Sequence, residues 1–165
     1  MKRTIILGIM LALISLLIVG CTSSTAPHFK NPNKTYTKQS DGSTIVIVDG
    51  RYFLTDTGID IKKGDVIKFK ATGEVNWNNT APNSMIAGPD GAEGGGWGLW
   101  YTITDNIGYR PFFVGAERED KAIRNGRLYL VIPEYTLEEW EPGDIDDPYY
   151  ADNNGSYEVN IWVNP

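Results

Sequence analysis

GDVIKFKATGEVNW, residues Gly64 to Trp77, carries the reading of the fold. The cluster Lys62, Lys63, Gly64 and Asp65 is turn-forming, and after it Ile67, Phe69 and Ala71 alternate with Lys68 and Lys70. A period of two sends one set into a core and the other into water, the pattern of a half-buried strand. Working outward, Thr44 to Val48 is β-branched throughout, and Arg51 to Leu54 and Gly58 to Ile61 are further strand candidates upstream. Downstream come Glu74 to Asn78, Leu99 to Ile103, Phe112 to Val114 behind Pro111, Arg127 to Ile132, and Ser156 to Val163. The last places Tyr157, Val159, Ile161 and Val163 on one face. A helical turn or two is expected only around Leu137 to Trp140, and no internal repeat is seen. Roughly seven to nine short strands between turn residues predict an all-β antiparallel sandwich or jelly roll over residues 44–165.

The 165-residue chain is 41% hydrophobic and 22% charged, which excludes wholesale disorder, and one cysteine excludes a disulfide scaffold. Residues 1–20 read as a secretory signal: Lys2 and Arg3 precede Ile5 to Val19, a run whose one polar side chain is Ser15. The run is short for a stable span, which needs ~20 apolar residues. Its end, Ile18, Val19, Gly20, Cys21, resembles the lipobox of bacterial lipoproteins, which implies acylation of Cys21. Two or three acyl chains would anchor the protein permanently. The expectation is an exported membrane-anchored lipoprotein. Thr22, not Asp, follows the cysteine, which by the same resemblance favours the outer membrane in a Gram-negative source. Residues 21–43 are then a polar, flexible tether, with Lys30, Lys34 and Lys38 before the first acid, Asp41.

The formal charge of −6 for the whole chain becomes −8 once Lys2 and Arg3 are set aside, so a nucleic-acid partner is not expected. The one histidine, His28, lies in the tether, which leaves no zinc site or His-activated nucleophile for the body. Carboxylates dominate instead: Glu134, Glu138, Glu139, Glu141, Asp144, Asp146, Asp147 and Asp152 fall within nineteen residues without a Lys or Arg. Such a run is either a solvated loop or is held by a cation, and Ca²⁺ suits hard oxygen donors of this kind. It is no EF-hand, because Pro148 takes the third ligand position. A pair such as Glu134 and Asp147 would serve a glycoside hydrolase, but the domain is small for an enclosed cleft, and a non-enzyme is expected.

Three stretches resemble, in order, the calcium-dependent galactose-binding lectins of bacteria, the PA-I type galactophilic family. They are Gly64 to Trp77, GPDG at Gly88 to Gly91, and DNNGSYEVNI at Asp152 to Ile161, and with IGYRPFFVG between them the likeness covers about Asp56 to Val163. The resemblance implies a Ca²⁺ held by the carbonyls of Trp77 and Tyr149 and by the side chains of Glu134, Asp152 and Asn153. It does not extend to galactose specificity, because AEGGGW follows GPDG where the family has His and Gln, and Tyr135 to Pro148 is an insertion.

Trp97 and Trp100, with Trp140 in the insertion, are candidates to stack on a sugar ring, and equally candidates for packing. Glu93 is a candidate hydroxyl acceptor, and Glu134 and Asp152 would reach sugar through the cation. The sum is a lipid-anchored, calcium-dependent carbohydrate-binding sandwich. The alternative is a structural or protein-interaction lipoprotein whose DNNG is simply the turn before the last strand.

Overall fold

The computed structural model describes residues 30–77, 86–92, 96–104, 110–133 and 148–165. Ten strands run in order among them: β1 (Tyr36–Lys38), β2 (Thr44–Asp49), β3 (Leu54–Ile61), β4 (Val66–Asn76), β5 (Ile86–Ala87), β6 (Trp100–Thr102), β7 (Phe112–Phe113), β8 (Glu117–Lys121), β9 (Gly126–Val131) and β10 (Asn154–Val163). One sheet is ordered β1-β2-β10-β4-β5, with β8 also on β4; the other is ordered β3-β9-β6-β7. Every strand pairing is antiparallel. The chain is therefore an all-β antiparallel sandwich, as the alternation in Gly64 to Ala71 predicts.

The inward set of β4 is the expected one, with Ile67, Phe69 and Ala71 buried and Lys70 exposed. They meet Tyr157, Val159 and Ile161 of β10 and Val46 and Val48 of β2 from the same sheet, and Tyr101, Leu128 and Leu130 from the other. Phe69 and Tyr101 stack across the core with ring centroids 5.0 Å apart. A second cluster, Phe53, Leu54, Trp100, Tyr129, Val131 and Tyr150, covers the opposite face of the four-stranded sheet. Residues 128–132 are consecutive apolar side chains because both faces of β9 are buried.

Three strands escape the sequence reading. β8 is Glu-Arg-Glu-Asp-Lys, charged because it lies on the rim of its sheet and, among the described residues, pairs with β4 alone. β5 has two residues. β1 lies within the segment expected to be a flexible tether. It pairs with β2 through Tyr36↔Val46, and upstream of it Lys30 bridges Leu54 in parallel while Asn31 is buried. The folded body thus begins by Lys30, and a spacer reaching to Ser43 is corrected accordingly. Continuous strands also replace two interrupted readings: Val66 to Asn76 passes through Gly73 at φ 105°, and Leu54 to Ile61 takes a register shift between Asp56 and Asp60. The helical turn expected at Leu137 to Trp140 lies outside the described residues; a 3-10 turn, Pro148–Asp152, precedes β10. Among the described residues no helix is long and apolar enough to cross a membrane.

Candidate functional site

One end of the sandwich gathers the C-terminal ends of β2, β4 and β9 and the start of β10. β2 ends in the turn Asp49-Gly50-Arg51-Tyr52, where the Tyr52 amide donates to the Asp49 carbonyl (3.1 Å) and the Arg51 amide to Asp49 Oδ1 (3.0 Å). Gly50 then donates to the Gly155 carbonyl at 3.1 Å, tying this turn to the start of β10. Asn154 pairs with Asn76, so extending that register by one residue sets Asn153 opposite Trp77. Pro133, just beyond β9 at this same end, accepts from the Trp97 amide at 2.9 Å.

The 3-10 turn is pinned from beneath. Tyr150 is buried, donates its hydroxyl to the Ile132 carbonyl at 2.8 Å and meets Phe53 edge-on at 6.3 Å. That anchor delivers Asp152 and Asn153 to the end of the sheet. Asn153, 3% exposed, donates its amide NH₂ to the Gly50 carbonyl at 2.8 Å, so its oxygen is the group it presents to any further partner. Asp152 is half-buried, and its Oδ1 is fully enclosed without a hydrogen-bond partner. A buried carboxylate oxygen in that state is costly unless a cation or donor completes it. Neither Asn153 nor Asn154 has a positive φ, whereas Gly155 does, at 92°. Turn geometry therefore accounts for the glycine of DNNG, and Asn154 Oδ1 accepts from the Gly155 amide at 2.8 Å, but neither accounts for Asp152.

Trp77 and Trp97 stack face to face at this end, centroids 4.3 Å apart and planes 15° from parallel. Trp97 holds a left-handed backbone at φ 56°, a conformation costly for a bulky residue and sustained by its surroundings. Part of that support is Tyr157, whose hydroxyl lies 2.7 Å from the Trp97 carbonyl, 2.9 Å from that of Gly88 and 3.2 Å from that of Ala87. One hydroxyl proton serves one of these at a time. Burial chiefly, and then the charges of Asp90 and Glu74, push the Tyr157 phenol up, so it stays a donor. GPDG is a structural turn: Gly91 donates to the Gly88 carbonyl (2.9 Å), Leu99 to that of Pro89 (2.8 Å), and Asp90 Oδ1 accepts from the Ala116 amide (2.8 Å).

Of the residues expected in the site, Trp77, Asp152 and Asn153 come together at this end, with Tyr149 in the adjoining turn. Trp97 joins them, but against Trp77. Trp100 does not serve as a sugar platform: it is 8% exposed and packs edge-on against Phe113 at 4.9 Å within the second cluster. Its place in β6, every residue of which is buried, is the reason. Glu93, Glu134, Asp147, Trp140 and Cys21 lie outside the described residues. Among the described residues no three of His, Cys, Asp and Glu come together, so here a cation would depend on amide and carbonyl oxygens beside Asp152. The reading of single residues missed the Trp77–Trp97 stack, Tyr150 and the Tyr157 hydroxyl. Only the Asp-Gly pair at Asp49 and Gly50 signals its turn in sequence.

No family model matches the chain, and no curated protein matches it in sequence. In structure it is similar to the solved EclA N-terminal domain, described as a PllA-like lectin, with a TM-score of 0.56 at 21% identity. The likeness covers 75% of this chain and 99% of that one, so a complete lectin domain is overlaid by the sandwich. The fold of this chain is lectin-like.

Proposed function

We propose that this sandwich is a carbohydrate-binding module whose sugar site is a Ca²⁺ held at the end that carries Asp152. The observation that carries the reading is the enclosed, unpartnered Oδ1 of Asp152 beside Asn153, at a position where backbone geometry requires neither residue. Asp152 and Asn153 supply side-chain oxygens, Trp77 and Tyr149 supply carbonyls, and Glu134 supplies a second carboxylate. When bound, the ion would accept two vicinal hydroxyls of a sugar ring, so affinity would follow diol stereochemistry. The lectin-like fold supports the binding class and not the identity of the glycan.

Export and acylation at Cys21 belong to the same reading, giving an envelope protein anchored by its lipid. The interaction-lipoprotein alternative needs no oxygen donors at Asp152 and Asn153, and predicts no response to metal.

Thermal melting in EDTA and across a calcium titration tests the site. A ligand that binds only the folded state stabilises it by RT ln(1 + [L]/Kd), about 2.7 kcal/mol at one hundred times Kd. The expected result is a saturating rise in Tm that is lost in Asp152→Ala. A cooperative melt at the same temperature in EDTA and in millimolar calcium overturns the assignment.

A further inference from the structure

Beside the proposed calcium position lies an open depression of about 640 Å³, within the range of small-molecule sites. Its floor is the outer face of β2 and β10, where Asp49 stands opposite Ser156. One wall is Arg51 and the other is Ala151 and Asn153, the two neighbours of Asp152. The depression therefore lies at the end of the sheet that carries Asp152, against its two chain neighbours.

Three features give it chemistry. Arg51 is locked against Asp49 in a two-point fork, Nε to Oδ1 at 3.0 Å and Nη2 to Oδ2 at 2.6 Å. Burial works to raise the Asp49 carboxyl, but hydrogen bonds from the Arg51 side chain and backbone, with its charge, hold it below the ordinary carboxylate value. Two of the five guanidinium protons are spent on Asp49, which leaves three donors, while the carboxylate, which also accepts the Arg51 amide at Oδ1, keeps a lone-pair site on Oδ2. The pair is neutral as a unit, so it offers fixed donors and acceptors without favouring an anion or a cation. Ile47, 38% exposed, adds an apolar surface to a floor that is otherwise polar. Hydroxyl groups that both donate and accept, on a ring with C–H faces, match this set.

We infer that the Asp49–Arg51 depression is a second subsite, which takes the neighbouring residue of a neutral oligosaccharide whose terminal residue is held at the Asp152 cation. It rests on the carbohydrate-binding reading above. Selection would then depend on chain length and linkage as well as on the terminal diol.

The test is a printed array carrying each neutral monosaccharide alone and at the end of di- and trisaccharides, probed with the purified protein in millimolar calcium. The expected result is at least one di- or trisaccharide bound about tenfold more tightly than its terminal monosaccharide. Arg51→Ala and Asp49→Asn should both erase that preference, with the calcium-dependent rise in Tm showing that the variants are folded. The subsite is overturned if the wild type shows no gain with chain length, or if the gain survives in both variants while monosaccharides still bind. Absence of binding to every spot overturns the carbohydrate reading itself, and the subsite with it.

Discussion

Asp152 and Asn153 are adjacent but do different work. Asn153 is a structural donor to Gly50 as well as a proposed ligand, and its removal leaves a buried carbonyl unpaired. Asn153→Ala should therefore cost about 1–3 kcal/mol of stability even in EDTA, read as a lower urea midpoint. Asp152→Asn removes a charge whose inner oxygen is without a partner, so in EDTA it should be neutral or stabilising, yet blind to calcium. If Asp152→Asn destabilises in EDTA as much as Asn153→Ala does, the carboxylate is a structural group and not a ligand waiting for its ion. Gly155 is constrained by backbone: at φ 92° a Cβ would run into the Glu74 carbonyl oxygen. Gly155→Ala should lose about 2 kcal/mol or more in urea unfolding at a fixed pH. The glycine of this motif is legible in sequence as a turn residue, but the role of Asn153 is not, because Gly50 is about a hundred positions away in the chain.

At the scale of the element, alternation disclosed β4 and β10 because each has one face in the core and one in water, while β2 was legible from its β-branched run. It failed on β8, whose five residues are charged, and whose value lies in what crosses between sheets. Tyr101 of β6 donates to Asp120 Oδ2 of β8 at 3.0 Å, and Arg118 approaches the same oxygen at 2.9 Å. Burial acts to raise the Asp120 carboxyl, but bonds from Arg118 and Tyr101 outweigh it and hold the group below its ordinary value. A depressed carboxyl contributes stability above its unfolded value of about 3.9, and loses it as pH falls through the native one. The urea midpoint of Asp120→Asn should consequently fall less than that of the wild type between about pH 5 and pH 2. Parallel acid profiles would show that this tie contributes nothing. Trp77 and Trp97 likewise belong to different elements, and no local pattern announces their stack. Trp97→Ala should remove an exciton-coupled band from the far-ultraviolet circular dichroism, whereas Trp100→Phe should leave that band in place.

For the whole molecule, the proposed anchor at Cys21 bears on where the sandwich stands. Eight residues separate Cys21 from Lys30, the first described residue, a reach of no more than about 30 Å when fully extended. Lys30 bridges Leu54 at the start of β3, the end of the sandwich where Asp49, Trp77 and Asp152 also lie. An acylated Cys21 would thus hold the proposed site close to the bilayer that anchors it. Cys21→Ser should move the protein from the membrane pellet to the soluble fraction without changing its Tm. Retention in the pellet would count against acylation as the anchor. The fold class, the strand-borne core and the sheet end that carries Asp152 were readable from alternation and motif order. The extent of the folded body was not, because the partners of Lys30 and β1, namely Leu54, Tyr129 and β2, lie outside those polar segments.

Binding of the purified protein to a broad glycan array, in millimolar calcium and again in EDTA, tests the central claim most directly. The account predicts a defined set of glycans bound in calcium, lost in EDTA and lost in Asp152→Ala. Signals unchanged by EDTA, or an array without a bound glycan in calcium, would contradict it.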